Sequence, residues 1–124
     1  MTVEFDIPIR LRSGLNCREH WAVKAKRVRE ERLATAVWMR PILRLAPHQV
    51  PPVTLAPPFV VTITRVGPRR MDDDNVAGGA KGVRDEIARQ LGVNDGDTDA
   101  VRFVYGQRLG PYGVRVRIQA GGAP

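Results

Sequence analysis

Apolar residues recur along the chain with two different spacings, one typical of short strands and one typical of longer helices. Four short runs are rich in β-branched residues and at least partly alternate between apolar and polar side chains, which predicts strands. These runs are residues 3–12, 59–66, 100–109 and 113–120. Two longer runs, 17–39 and 76–91, repeat apolar residues at helical spacings. The predicted order is β-α-β-α-β-β, an α+β fold with a mixed sheet and two helices.

Residues that start and stop elements mark the predicted boundaries. Asn16 is a suitable N-cap for the first helix, and Pro41 is expected to end it. Residues 41–58 contain six prolines and predict a connection without regular structure. Gly92 is expected to end the second helix. The sequence GPYG, residues 110–113, predicts a hairpin turn between the last two strands.

The first helix carries an apolar stripe beside a basic surface. The stripe is expected to comprise Trp21, Ala25, Val28, Ala36 and Val37. Cations lie off this stripe, and we expect them to contact the DNA backbone if the partner is a nucleic acid. They are Lys24, Lys26, Arg27 and Arg29.

The composition narrows the class of protein. The 124 residues predict a single domain spanning 1–124, and no run approaches the ~18 apolar residues of a membrane helix. Cys17 is the only cysteine, which excludes an internal disulfide and fits a reducing, cytoplasmic location. The net charge of +7 indicates a polyanionic partner, although a merely solvated basic surface would give the same total.

The acidic residues are concentrated in one part of this basic chain. Residues 72–99 hold eight Asp and Glu against three Lys and Arg, a net charge of −5, whereas residues 1–71 carry +8 and 100–124 carry +4. Three consecutive aspartates, Asp72, Asp73 and Asp74, exceed what helix capping needs, and a hard cation such as Mg²⁺ relieves their mutual repulsion.

A second acidic group follows the predicted second helix. Asp95, Asp97 and Asp99 alternate with other residues, as they do in a calcium-binding loop. Ala100 and Gly106 occupy the positions where that loop requires Gly and Glu, so an EF-hand is disfavoured.

The periodicity of the second helix separates two faces. Asp74, Lys81 and Asp85 fall on one face, with Asp85 spaced to pair with Lys81. The opposite, apolar face carries Val76, Ala80, Val83, Ile87 and Leu91. Gly78 and Gly79 would let another backbone, such as a nucleic-acid strand, approach the first turn, although they are equally compatible with a loosely wound helix start.

The sequence of this region resembles the RusA family of Holliday-junction resolvases. The resemblance is carried by DDDN at residues 72–75, a lysine on the following helix, and RDEIARQLGVNDGD at residues 84–97. The flanking sequences LNCREHW and VYGQRLGPYGVRVRI are similar to the phage branch of the family, so most of the chain is covered. In the best-known form of the motif the lysine lies one turn nearer the Asn, where this chain has Gly78.

The resemblance implies a Mg²⁺-dependent endodeoxyribonuclease that acts on four-way DNA junctions as a homodimer. It implies that Asp72 and Asp74 are metal ligands, that Asp95 or Asp97 completes the site, and that Lys81 assists catalysis. The arginines that precede the motif, Arg69 and Arg70, are expected to bind phosphate along with the basic helix. The alternatives are a non-catalytic branched-DNA-binding protein, in which the aspartates only cap helices, and a small metal-binding regulator.

Overall fold

The computed structural model describes residues 2–12, 21–45 and 57–121, and for residues 43–45 it describes only the main chain. Its elements, in chain order, are β1 Thr2–Ile7, α1 Trp21–Leu45, β2 Phe59–Gly67, α2 Asp73–Gly79, α3 Lys81–Leu91, β3 Val101–Leu109 and β4 Gly113–Ala120. This arrangement confirms the α+β class. The predicted N-cap Asn16 and most of the proline-rich stretch lie outside the described residues.

The four strands form one mixed sheet in the order β1-β4-β2-β3. Strand β2 runs parallel to β3 and antiparallel to β4, and β4 also pairs antiparallel with β1. Strand β2 is an interior strand, paired with β3 on one side and β4 on the other. Accordingly, every second side chain of β2 is buried and the others are half-buried. Strand β1 is an edge strand, and it ends at Ile7, directly before Pro8 and earlier than its predicted end at residue 12.

The predicted hairpin between the last two strands is wrong. Strands β3 and β4 are not neighbours, because β2 lies between them. Residues 110–112 cross the end of β2, and the Gly110 N–H donates to the Gly67 carbonyl at 3.0 Å. Two strand spacings are about 10 Å, which three residues can span. The apolar β2 thereby has a partner strand on each side.

The helices cover one face of the sheet, and the core lies between the two layers. Its fully buried side chains come from all four strands and from the helices, and include Ile7, Val61, Ile63, Val116 and Ile118 from the sheet with Met39, Val83 and Ile87 from the helices. On the other sheet face, charged residues such as Glu4 and Arg117 are exposed and pair across strands at 3.6 Å. None of the described helices is both long enough and apolar enough to cross a bilayer.

Helix α1 departs from the expectation in its extent and in its buried face. Pro41 lies inside the helix, which continues to Leu45. Trp21 is 76% exposed and Val37 is 52% exposed, so the predicted stripe is wrong at both positions. The buried face instead includes Glu31 and Thr35. Of the predicted stripe, Ala36 is buried and Ala25 and Val28 are half-buried, so the expected face is right in part and misses the polar core positions.

The second predicted helix is divided at Ala80 into α2 and α3. Its buried face is as predicted, with Val76, Ala80, Val83 and Ile87 all essentially inaccessible. Gly92, with φ of 73°, ends α3 as expected.

The close approach expected at the glycine pair is made by the protein itself. A Cβ on Gly79 would collide with the Arg12 carbonyl oxygen. The segment after β1 therefore packs on the position where a nucleic-acid strand was considered, and Gly79 is required there for packing.

Candidate active site

The turn that leads into α2 is held in place by two polar side chains from the sheet. Gln107 of β3 accepts from the Met71 N–H at 2.9 Å and donates to the Met71 carbonyl at 2.6 Å. Arg65 of β2, which is buried, donates to the Arg69 carbonyl. Because both contacts are to the main chain, they fix the direction in which the following aspartates leave the sheet.

Residues 72–74, the first acidic segment, begin α2. Asp72 is the N-cap residue by position, yet its side chain makes no capping hydrogen bond, and Asp72 and Asp74 are both exposed. Asp73 has a separate role, since it accepts from Gln107 Nε2 at 3.1 Å. Asn75 is the third residue of the helix and is buried, so it does not act as the N-cap. The structure therefore leaves two carboxylates without a capping function.

The donor set of the first acidic segment fits a Mg²⁺ ion. Mg²⁺ in phosphoryl-transfer sites commonly takes one or two carboxylates and fills its remaining positions with water and phosphate oxygens. Asp72 and Asp74 provide two such carboxylates at an exposed position. Within the described residues, no three carboxylate, histidine or cysteine side chains lie close enough to share one ion.

The chain turns back after Gly92 and brings Asp95 beside α3. Arg84 Nε lies 3.4 Å from an Asp95 oxygen and 3.8 Å from an Asp85 oxygen. Asp85 is thus contacted by Arg84, and no ion pair with Lys81 forms among the described residues. Burial of the guanidinium lowers the pKa of Arg84, but the Tyr105 hydroxyl and the carboxylates of Asp85 and Asp95 outweigh it and raise the pKa above its ordinary value. Arg84 is therefore charged at every working pH.

Arg84 also forms the wall of an open depression of about 530 Å³, here called the cationic depression. Four cations line it, against the two carboxylates of Asp85 and Asp95; the cations are Arg32, Lys81, Arg84 and Arg89. Arg84 Nε and the Tyr105 hydroxyl are buried and make no well-aligned hydrogen bond within the described residues. The lining carries more cations than carboxylates, which suits an anion such as phosphate, and two of these cations, Arg32 and Arg89, also pair with the buried Glu86.

Residues 95–99, the second acidic segment, are largely engaged in the local turn. Asp97 Oδ1 accepts from the Asp99 N–H at 3.1 Å and from the Ala100 N–H at 3.3 Å, directly before β3. This is the geometry of an Asx turn, which satisfies main-chain donors where the chain enters a strand. Asp97 therefore stabilises the loop, whereas Asp95 faces the cationic depression.

Asp73 and Asp97, one from each acidic segment, are anchored at opposite ends of β3. Asp73 contacts Gln107 near the end of the strand, whereas Asp97 caps Ala100 just before its start. Seven residues of strand separate these points by about 23 Å. Of the predicted site residues, Lys81 and Asp95 share the cationic depression, and Asp72 and Asp74 stand together at the start of α2.

The predicted DNA-contacting residues are largely exposed. Lys24, Lys26 and Arg29 of α1 are exposed, as are Arg69 and Arg70 before the first acidic segment. Arg27 is half-buried and lies 3.7 Å from Glu31, so much of its charge is neutralised within the protein.

Part of the basic surface forms a groove that the sequence did not suggest. Lys26 and Arg27 face Arg10 and Arg12 across a depression of about 370 Å³, which we call the basic groove. Glu30 and Glu31 also line it.

Three residues of the site were not identified from the sequence. Arg84 gave a usable signal, because an arginine at the edge of an apolar helix face needs a partner. Arg65 and Gln107 gave a weaker one, since each takes an inward position on an alternating strand. Polar residues at inward strand positions usually satisfy specific main-chain groups.

Comparison with known proteins gives no family assignment. No protein-family model matches the chain, and no curated protein matches it.

Proposed function

We propose that this protein is a Mg²⁺-dependent endodeoxyribonuclease of the RusA type, which resolves four-way DNA junctions and other branched DNA in recombination and repair. The observation that carries the proposal is the pair of exposed carboxylates, Asp72 and Asp74, at a helix start where neither is needed as a cap. The main-chain clamp formed by Gln107 and Arg65 supports it, because it holds a segment whose exposed side chains make few contacts of their own.

Asp72 and Asp74 would hold the metal ion, while Asp73 remains on Gln107. When bound, Mg²⁺ would polarise the scissile phosphate and acidify a coordinated water molecule. Lys81, which is exposed, and Arg84 bind and orient phosphate oxygens through the cationic depression. Asp85 and Asp95 both contact the Arg84 guanidinium and hold it in position.

Sequence-independent contacts would come from the basic surface. Lys24, Lys26 and Arg29 are exposed along the first turns of α1. If these residues contact phosphates, the affinity for a junction falls with salt by a slope of about −0.9 per contact. A Lys24→Ala, Lys26→Ala protein then has a slope shallower by about 1.8, and an unchanged slope would show that this surface is only solvated.

A junction-cleavage assay tests the proposed activity. The protein is incubated with a four-way junction, and with linear duplex of the same sequence, in Mg²⁺ and in EDTA. We expect paired nicks in the junction with Mg²⁺ only, and little cutting of the duplex. A folded protein that binds the junction but leaves it intact in Mg²⁺ would contradict the proposal.

One arrangement favours the alternative of a non-catalytic branched-DNA-binding protein. Asp95 is paired with Arg84, and Asp97 caps the turn before β3, so both candidates for the third ligand have stabilising roles. On this alternative, Asp74→Asn leaves junction binding in EDTA as strong as before or stronger, and the wild-type protein shows no Mg²⁺-dependent cutting to lose.

We further propose that the chain acts as a homodimer. One chain carries one DDDN motif, and a four-way junction with near two-fold symmetry needs two cuts, which a closed dimer would supply at a fixed separation. Light scattering at micromolar concentration is expected to give twice the 13.8 kDa chain mass. The mass of a single chain, both free and bound to a junction, would contradict the paired-cut model.

A further inference from the structure

A third depression lies at the end of the sheet where β3 connects to β4. It has a volume of about 450 Å³ and shares no lining residue with the cationic depression. We call it the loop pocket. Its walls include Trp38 of α1, Tyr112 of the connection, and the arginines Arg108 and Arg115. The connection is anchored to β2 by the Gly110 hydrogen bond to Gly67, five residues before Asp72.

The loop pocket exposes aromatic surface that the core does not use. Trp38 is 48% exposed and Tyr112 is 44% exposed, although aromatic side chains gain most from burial. The Arg10 guanidinium lies 4.5 Å above the centre of the Tyr112 ring. A cation in this position fixes the ring by a cation–π interaction. Tyr112 is therefore a held, partly exposed ring.

The charge around the loop pocket selects an anionic partner. Arg10, Arg108 and Arg115 surround the aromatic rings, and the single acidic group of the lining, Asp6, is paired with Arg115 at 3.2 Å. Arg10 also lines the basic groove, so cationic surface continues from that groove to the face of Tyr112. Aromatic rings at the end of a cationic path are the arrangement with which proteins bind single-stranded nucleic acid.

We propose that the loop pocket binds an unpaired nucleobase of single-stranded DNA, stacked against Tyr112 and Trp38, with the flanking phosphates on Arg10 and Arg108. The inference rests on the proposed function for the choice of DNA, since base pairs at a branch point open as the strands exchange. A base within a duplex is stacked on both faces and does not enter such a pocket. The ligand class is therefore an unpaired nucleotide and not a duplex groove.

Binding of a short oligodeoxythymidylate in EDTA tests the pocket without any cleavage. An oligonucleotide of about ten residues matches the site sizes of single-strand-binding domains. Loss of one stacked base should weaken binding of the Tyr112→Ala protein by about 5- to 150-fold. Tyr112→Phe, which keeps the ring, should bind as the wild type does. Leu33→Ala is a control, because Leu33 is an exposed apolar residue on α1 outside the pocket.

The two tryptophans allow the binding position to be checked directly. Trp21 and Trp38 are the only ones in the chain, and 17 residues of helix separate them by about 25 Å. In the Trp21→Phe protein the emission reports Trp38 alone, and saturating oligodeoxythymidylate should quench it. In the Trp38→Phe protein the emission should remain largely unchanged. Quenching confined to Trp21, or equal affinity in Tyr112→Ala and wild type, would overturn the proposal.

Two further outcomes distinguish an unpaired base from other occupants of the loop pocket. Quenching of Trp38 by linear duplex as strong as by the oligonucleotide would also overturn it, because the ligand would then be a duplex. Occupation by a proline-rich peptide with no binding of DNA would overturn it as well. If oligonucleotide binding behaves as expected but junctions are not cut in Mg²⁺, the loop pocket stands and the nuclease proposal fails.

Discussion

The two acidic segments contain the same residue type and have opposite relations to the fold. In residues 95–99, Asp97 accepts two main-chain N–H groups and Asp95 pairs with Arg84. In residues 72–74, Asp73 is held by Gln107, while the exposed Asp72 makes no capping bond. A carboxylate that satisfies a neighbour's donor stabilises the protein, whereas one that satisfies nothing is available to a ligand. Charge density in the sequence does not make this distinction.

The largest expected effect is on cleavage, and adjacent residues of the first acidic segment should differ in it. Asp74→Asn removes a proposed metal ligand, so junction cleavage should fall by at least about two orders of magnitude. Asp73→Asn is the matched control, since an amide oxygen can still accept from Gln107, and its rate should stay within a few-fold of wild type. The measurement is the single-turnover rate on a four-way junction in Mg²⁺. Equal losses of cleavage in the Asp74→Asn and Asp73→Asn proteins would show that Asp74 has no special role as a metal ligand.

An intermediate effect is expected on stability in the second acidic segment. Asp97→Ala removes the acceptor of two main-chain donors, so the free energy of unfolding should drop by about 0.5–2 kcal/mol, as for loss of a helix cap. Asp99→Ala, on an exposed side chain in the same loop, should change it by less than about 0.5 kcal/mol. Urea unfolding measures both. An Asp97→Ala protein of wild-type stability would show that the turn does not depend on this carboxylate.

The smallest expected effect concerns the cations that flank the two segments. Arg69 and Arg70 directly precede the first acidic segment and are exposed. If both contact phosphate, replacing them with alanine should make the salt dependence of junction binding shallower by about 1.8. Arg102 follows the second acidic segment, and Arg102→Ala should leave the slope unchanged. A shallower salt dependence in the Arg102→Ala protein alone would show that DNA contacts the region of the second acidic segment, which would contradict this expectation.

Local periodicity predicted the elements of this fold well. The β2 strand, the buried face of the α2–α3 region and the Gly92 stop could all be identified because each depends on neighbouring residues alone. The hairpin was predicted wrongly, and the buried face of α1 was predicted only in part. Strand order depends on which distant strand β2 needs beside it, and the buried positions of α1 include Glu31 and Thr35, which periodicity counts as polar.

The candidate site was predictable in its residues and not in its grouping. The sequence indicated Asp72, Asp74, Lys81 and Asp95, but it could not show that Arg84 would bring Asp95 back to α3. Nor could it separate Asp97 from Asp95, because the difference depends on a three-residue turn before β3. Both facts follow from the reversal of the chain after Gly92, which brings together residues whose proximity cannot be inferred from their spacing in the sequence.

The most direct test of the central claim, that the first acidic segment holds the metal, is the position of a bound paramagnetic ion. Substoichiometric Mn²⁺ is added to isotope-labelled protein, and the amide signals that broaden are identified by NMR. We predict that the signals of residues 72–75 broaden first and that those around Asp97 persist until more ion is added, because about 23 Å of strand separates the residues that anchor Asp73 and Asp97. Broadening that begins at residues 95–99, or that affects both segments together, would contradict this assignment.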